Sequence, residues 1–127
     1  MKSTKEFFQN KKILIYGYGK TGKSAFNFLK TKNNLKVFDD NLPLTNLPYN
    51  KKFARGSDRV RNFDYVLLSP GINYRKCLLS NEIIKNKEKI ISDLDVFYKS
   101  FPENFFITIT GTNGKSTTCK LLYQVLK

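Results

Sequence analysis

The apolar and polar positions of this chain alternate between short apolar runs and longer amphipathic stretches. Ile13-Leu14-Ile15-Tyr16 is apolar without interruption, the pattern of a strand covered on both faces of a parallel sheet. The next segment, to about Lys32, places Ala25, Phe26, Phe28 and Leu29 at helical spacing, and Asn33-Asn34 closes it. Leu35-Lys36-Val37-Phe38 reads as a second strand that ends at Asp39-Asp40. Met1 to Gln9 reads as a loosely held arm whose Phe7 and Phe8 pack on the sheet.

Asn41 to Asn50 contains two prolines and several turn-formers and predicts an exposed loop. Lys51 to Asn62 is basic and weakly patterned, with a short strand expected near Phe53. Asp64 to Leu68 predicts a buried strand ending in the turn Ser69-Pro70-Gly71-Ile72. Leu78 to Lys87 has helical spacing through Leu79, Ile83 and Ile84, and Lys89 to Ser92 is a short strand. Asp93 to Phe101 predicts a helix with Leu94, Phe97 and Tyr98 on its buried side, and Phe101-Pro102-Glu103-Asn104 a linker. Phe105 to Thr110 then predicts a strand, and Lys115 to Lys127 a helix with Leu121, Leu122 and Val125 as its apolar positions.

This succession predicts an α/β chain. Residues 1–101 form a Rossmann-like, doubly wound parallel sheet. Residues 102–127 add one strand, a glycine turn and one helix, which cannot bury a core of their own. They are expected to begin a second, incomplete nucleotide-binding unit, so that the chain is the front end of a longer protein.

Two turns carry candidate chemistry. Gly17-Tyr18-Gly19-Lys20-Thr21-Gly22 is a complete G-x-G-x-x-G between strand and helix, and a strand ending in Asp39 and Asp40 follows. In that setting the motif points to a nucleotide diphosphate held at the helix start. In an open parallel sheet the Ser69 to Ile72 turn falls on the same rim. The second turn is Gly111-Thr112-Asn113-Gly114-Lys115-Ser116-Thr117-Thr118. Gly111 and Gly114 allow positive φ and close approach of the backbone to phosphate. Lys115 supplies a full charge for β/γ phosphates, and Ser116 a hydroxyl for Mg²⁺. The general phosphate-loop pattern asks for a glycine five residues before Gly114, where Ile109 stands.

Composition adds limits. At 127 residues with 40% hydrophobic content, the chain suffices for one ordinary domain. No apolar window reaches the length needed to span a bilayer, so a cytoplasmic location is the default expectation. Cys77 and Cys119 lack metal-ligand spacing and are expected to be reduced thiols. The absence of histidine removes imidazole chemistry and imidazole metal sites. The net charge of +13 is spread along the chain. It suits a polyanionic small molecule, and no RNA motif or zinc-finger spacing accompanies it to favour nucleic acid.

The shorter string T-G-T-N-G-K-S-T resembles the ATP-binding loop of the Mur ligase and folylpolyglutamate synthase superfamily. Taken in order with the glycine turn, Phe38-Asp39-Asp40, Leu68-Ser69-Pro70-Gly71-Ile72 and Asp93-Leu94-Asp95-Val96-Phe97, it makes the chain from Lys12 onward similar to the Mur ligase family. The Ser-Pro-Gly-Ile turn and Asn113 point to the branch that adds D-glutamate.

The resemblance implies a monomeric three-domain enzyme of peptidoglycan synthesis, and so of cell shape and division. It would use ATP and Mg²⁺, with UDP-N-acetylmuramoyl-L-alanine and D-glutamate as substrates, no nucleic acid and no membrane insertion. Gly17, Gly19, Lys20, Thr21 and Gly22 would receive the sugar nucleotide's diphosphate. Asp39 and Asp40 would face the uracil and ribose; family members often carry a small polar residue in place of Asp40. Ser69 and Gly71 would line the same cleft. Gly111, Thr112, Asn113, Gly114, Lys115, Ser116 and Thr117 would bind ATP, with Lys115 catalytic and Ser116 the metal ligand. The resemblance implies an acyl-phosphate mechanism, and 127 residues alone are expected to be inactive. A nicotinamide-dependent dehydrogenase or ligand-sensing dinucleotide module is the competing reading of Gly17 to Gly22 and Asp39, and it leaves Gly111 to Ser116 unexplained.

Overall fold

The computed structural model describes residues 7–48 and 51–127. Four strands, β1 (Lys12–Tyr16), β2 (Asn34–Phe38), β3 (Tyr65–Leu68) and β4 (Ile90–Ile91), form one parallel sheet in the order β2-β1-β3-β4. Helix α1 (Lys20–Leu29) links β1 to β2, α2 (Ser80–Lys85) precedes β4, and α3 (Asp93–Ser100) and α4 (Lys115–Leu126) follow it. Tyr16 stands opposite Phe38 on one side and Leu68 on the other. The chain thus leaves β1 outward to β2 and returns past it to β3. The carboxyl ends of β1 and β3 therefore flank the topological switch point, where ligands collect in such sheets.

The uninterrupted apolar run of β1 has a direct cause: both faces of the sheet are covered. Alternate residues point to opposite faces. Ile13 and Ile15 join Leu35, Val37 and Leu67 under Ala25 and Leu29 of α1 and Val96 of α3. Leu14, Tyr16 and Val66 meet Phe53, Val60 and Ile83 of α2 on the other face. Each such fully buried apolar side chain contributes roughly 1.5–3 kcal/mol by leaving water. Phe8 is buried and stacks edge-on against Phe7 and Tyr65, as the expected packing of the arm requires; residues 1–6 of that arm lie outside the described residues.

Three expectations are corrected. Leu94, Phe97 and Tyr98 do not form the buried side of α3; they are exposed, and Val96 is the residue of that helix that enters the core. The sheet ends at the two-residue β4, too short a surface to cover the helix's aromatic face. Phe97 instead contacts Phe101 and Phe106. Similarly, Ile84 of α2 is exposed while Leu79 and Ile83 are buried. Residues 105–110 form no strand among the described residues, because a strand needs a neighbour to accept its backbone hydrogen bonds and no further strand lies beside it. Near Phe53 a single parallel bridge between Lys52 and Val37 replaces the expected strand. Helix α4 buries none of its residues. No helix among the described residues is long and apolar enough to cross a membrane.

Candidate functional site

The Gly17 to Gly22 turn begins where β1 stops. Gly17 has φ of +94°, and its amide donates to the Phe38 carbonyl at 2.8 Å. The Ser69 hydroxyl, just past the end of β3, donates to the Gly17 carbonyl at 3.0 Å. A Cβ on Gly17 would lie 2.7 Å from the Ser69 Cβ, and one on Gly22 would lie 1.9 Å from the Gly17 carbonyl oxygen. Gly17 is therefore fixed by its positive φ and by the Ser69 and Ile72 side chains packed against it, and Gly22 by the close approach of backbone. Gly19 and Gly71 meet no neighbour in this way; Gly19 is the N-cap of α1, which has no side-chain cap. The first amides of α1 are thus left for an anion at the positive end of the helix.

The two acidic residues after β2 are both engaged. Asp39 Oδ2 accepts from the Tyr18 amide at 2.7 Å, while Oδ1 accepts from the amides of Asn41 and Leu42. Asp40 Oδ1 accepts from the Tyr16 hydroxyl at 2.5 Å, and Oδ2 accepts from the Leu78 amide at 3.2 Å. Tyr16 is wholly buried, and its hydroxyl also accepts from the Leu79 amide. Burial, reinforced by the bond to Asp40, pushes its phenol far above the ordinary range. Asp39 thus shapes the glycine turn, and Asp40 ties the end of β2 to the segment before α2. Motif reading passed over Tyr16 as one more strand residue; the signal was a hydroxyl-bearing side chain at the last position of an otherwise aliphatic strand.

Lys20 and Thr21 open onto a cavity of about 450 Å³ between α1 and α3, whose walls include Ser24, Phe28, Asp93 and Phe97. Asp39, Asp40, Ser69 and Gly71 do not line it. The rim accordingly has two sides, one between α1 and α3 and one over the ends of β2 and β3.

The second turn, 111–117, is exposed throughout. Gly111 and Gly114 have φ of +145° and +75°, and Gly114 caps α4 with no side-chain bond to the helix amides. The Lys115 ammonium donates to the Gly111 carbonyl of its own turn, and Thr118 Oγ1 donates to the Gly114 carbonyl at 2.9 Å. Thr112, Asn113, Ser116 and Thr117 surround this uncapped helix start in sequence. Among the described residues no hydrogen bond joins the two glycine turns, and no group of three or more Cys, Asp or Glu side chains is placed to hold a metal. Cys77 is buried and Cys119 exposed, both as free thiols.

No family model matches the chain. Curated proteins do match it. It is 36% identical over 129 residues to UDP-N-acetylmuramoylalanine--D-glutamate ligase of Rickettsia prowazekii (strain Madrid E), covering 94% of this chain and 28% of that protein. The protein of the same name from Rickettsia felis is 40% identical over 121 residues, covering 91% of this chain and 26% of its own length. The one from Bacillus cytotoxicus is 36% identical over 131 residues, with 94% and 29% covered. The chain therefore spans little more than a quarter of the length of the curated relatives it matches. Over nearly all of its length, the chain is similar to a quarter or so of the extent of proteins named UDP-N-acetylmuramoylalanine--D-glutamate ligase.

Proposed function

We propose that residues 1–101 are the sugar-nucleotide-binding domain, and 102–127 the opening of the ATP-binding domain, of a cytoplasmic ligase that joins D-glutamate to UDP-N-acetylmuramoyl-L-alanine. The observation that carries this reading is a pair of glycine turns, Gly17–Gly22 and Gly111–Gly114, each delivering the chain into a helix whose first amides have no side-chain cap. One chain then has two anion cradles, as a ligase of two phosphate-bearing substrates needs. The names of the relatives point the same way.

Each residue has a task in that reaction. The amides from Gly19 to Gly22 and the Lys20 ammonium would bind the diphosphate of the sugar nucleotide. Ser69 and Asp39 would act one step back, holding the Gly17 carbonyl and the Tyr18 amide so that the turn is set before the ligand arrives. The residues of the second turn fit a nucleotide triphosphate: both glycines have positive φ, and the space beside Gly114 is open. The Lys115 ammonium would leave the Gly111 carbonyl for phosphate oxygens. The Ser116 hydroxyl would be this chain's ligand to Mg²⁺, whose charge would offset that of the phosphates. ATP would supply the phosphoryl group that converts the alanyl carboxylate into an acyl phosphate, since a carboxylate cannot expel oxide when an amine attacks. Electrostatic help from Lys115 would be strongest where the transferring phosphoryl spreads its charge.

Isothermal calorimetry of the chain with UDP-N-acetylmuramoyl-L-alanine and with NADH tests the first cradle. Binding of the sugar nucleotide in preference to NADH is expected, and the reverse preference overturns the reading in favour of a dinucleotide module. The chain by itself is expected to show no ligase turnover, because it spans only about 28% of a relative's length.

A further inference from the structure

Tyr18 is the aromatic residue of the first glycine turn, and the tasks assigned above use only its amide. That amide is held by Asp39 at 2.7 Å, which fixes the residue between the ends of β1 and β2. The ring is half-buried and rests on the core cluster. Phe26 meets it at a centroid distance of 5.9 Å with the planes at 89°. The Lys23 ammonium lies 5.8 Å from the ring centroid. Unlike the hydroxyl of Tyr16, that of Tyr18 makes no hydrogen bond to another described residue.

The ring is thus positioned by backbone and core, yet its polar end is unspent. Lys23 reaches it on an exposed, four-carbon stem, a weak contact that a planar group can displace without moving any core atom. A ligand whose diphosphate lies on the α1 amides has its nucleoside on the β2 side if its other end runs towards the cavity between α1 and α3. Tyr18 stands on that β2 side, at the carboxyl rim of the sheet. We infer that Tyr18 is a specificity-determining residue that presents its ring to the nucleobase of the sugar nucleotide, with its hydroxyl available to the ribose or base edge. The inference rests on the sugar-nucleotide reading above.

Calorimetric titration of UDP and of inorganic pyrophosphate into the chain, Tyr18→Ala and Tyr18→Phe separates the possibilities. Loss of a stacked aromatic is expected to weaken UDP on the order of tenfold in Tyr18→Ala, with pyrophosphate affinity unchanged and Tyr18→Phe retaining most of the UDP affinity. Unchanged UDP affinity in Tyr18→Ala overturns the inference. So does an equal loss of UDP and pyrophosphate, which would mean that the side chain merely shapes the turn. Failure of the unsubstituted chain to bind UDP at all overturns the sugar-nucleotide reading itself, and the inference with it.

Discussion

Ser69 and Gly17, 52 positions apart, are joined by a 3.0 Å hydrogen bond from hydroxyl to carbonyl that bridges the ends of β3 and β1. The contact exists because Gly17 has no Cβ: one would sit 2.7 Å from the Ser69 Cβ, on a backbone already at φ +94°. Gly17→Ala combines that clash with left-handed strain and is expected to cost at least about 2 kcal/mol. Gly22→Ala should cost more, since its Cβ would lie 1.9 Å from a backbone oxygen that cannot rotate away. Ser69→Ala loses one hydrogen bond, about 1 kcal/mol. Urea unfolding of the three variants checks the order, and a milder effect for Gly22→Ala than for Ser69→Ala contradicts it.

Tyr16 makes stability sensitive to alkali. Its phenol is raised above the ordinary range first by burial and then by the Asp40 bond. The folded state therefore holds the proton more tightly than the unfolded chain, whose phenols titrate near ~10. The contribution is fully present below that pH and is lost as pH rises towards the folded-state pKa. Tyr16→Phe is expected to lose about 1 kcal/mol at neutral pH, and its stability should then fall less steeply above about pH 10. Denaturant midpoints measured across that range would show parallel curves if the hydroxyl did not matter.

The start of α3 responds to acid. The hydroxyl and the amide of Ser92 both donate to Asp95 Oδ2 at 2.7 Å, and the Asp95 amide donates back to the Ser92 hydroxyl at 3.1 Å. The side-chain bond first, then the backbone one, lowers the Asp95 carboxyl below its ordinary value. Its contribution is present above the unfolded carboxylate pKa and is lost as pH falls through the lowered one. Ser92→Ala is expected to cost about 1 kcal/mol as a lost cap. An NMR titration of Asp95 in that variant should move back towards the ordinary carboxylate range; no movement would refute the cap as the cause.

Much of this fold was legible because its strands are short, apolar and buried on both faces. Ile13 to Tyr16 and Leu35 to Phe38 read as strands for the reason they are strands. The glycine turn was legible too, since Gly17 and Gly22 each answer a specific steric demand. What could not be read was the side on which a helix meets the core. Leu94, Phe97 and Tyr98 are the largest apolar residues of α3, yet Val96 is the one that the core takes in. Nor does a motif reveal that a carboxylate is already occupied. Asp39 and Asp40 look like ligand-facing acids, and only the fold brings Tyr18, Tyr16 and Leu78 to them. The run 105–110 has strand composition but no neighbour, which composition alone does not disclose.

That last difference leads to a prediction about the boundary near Phe101. Phe105 is 90% exposed and Val125 is 80% exposed. Phe106 is the residue of this segment with ring contacts back to α3, resting on Phe97 and Tyr98, and both of those are themselves exposed. Since α4 buries nothing, it adds little apolar stabilisation to the sheet. Removing everything after Asn104 is therefore expected to change the unfolding free energy by no more than about 0.5 kcal/mol, the range of surface changes. The same deletion should abolish any binding of ATP while leaving that of UDP intact, because the two glycine turns share no hydrogen bond. A large loss of stability, or loss of UDP binding with the tail, would mean that residues 105–127 belong to the first domain rather than to a second one.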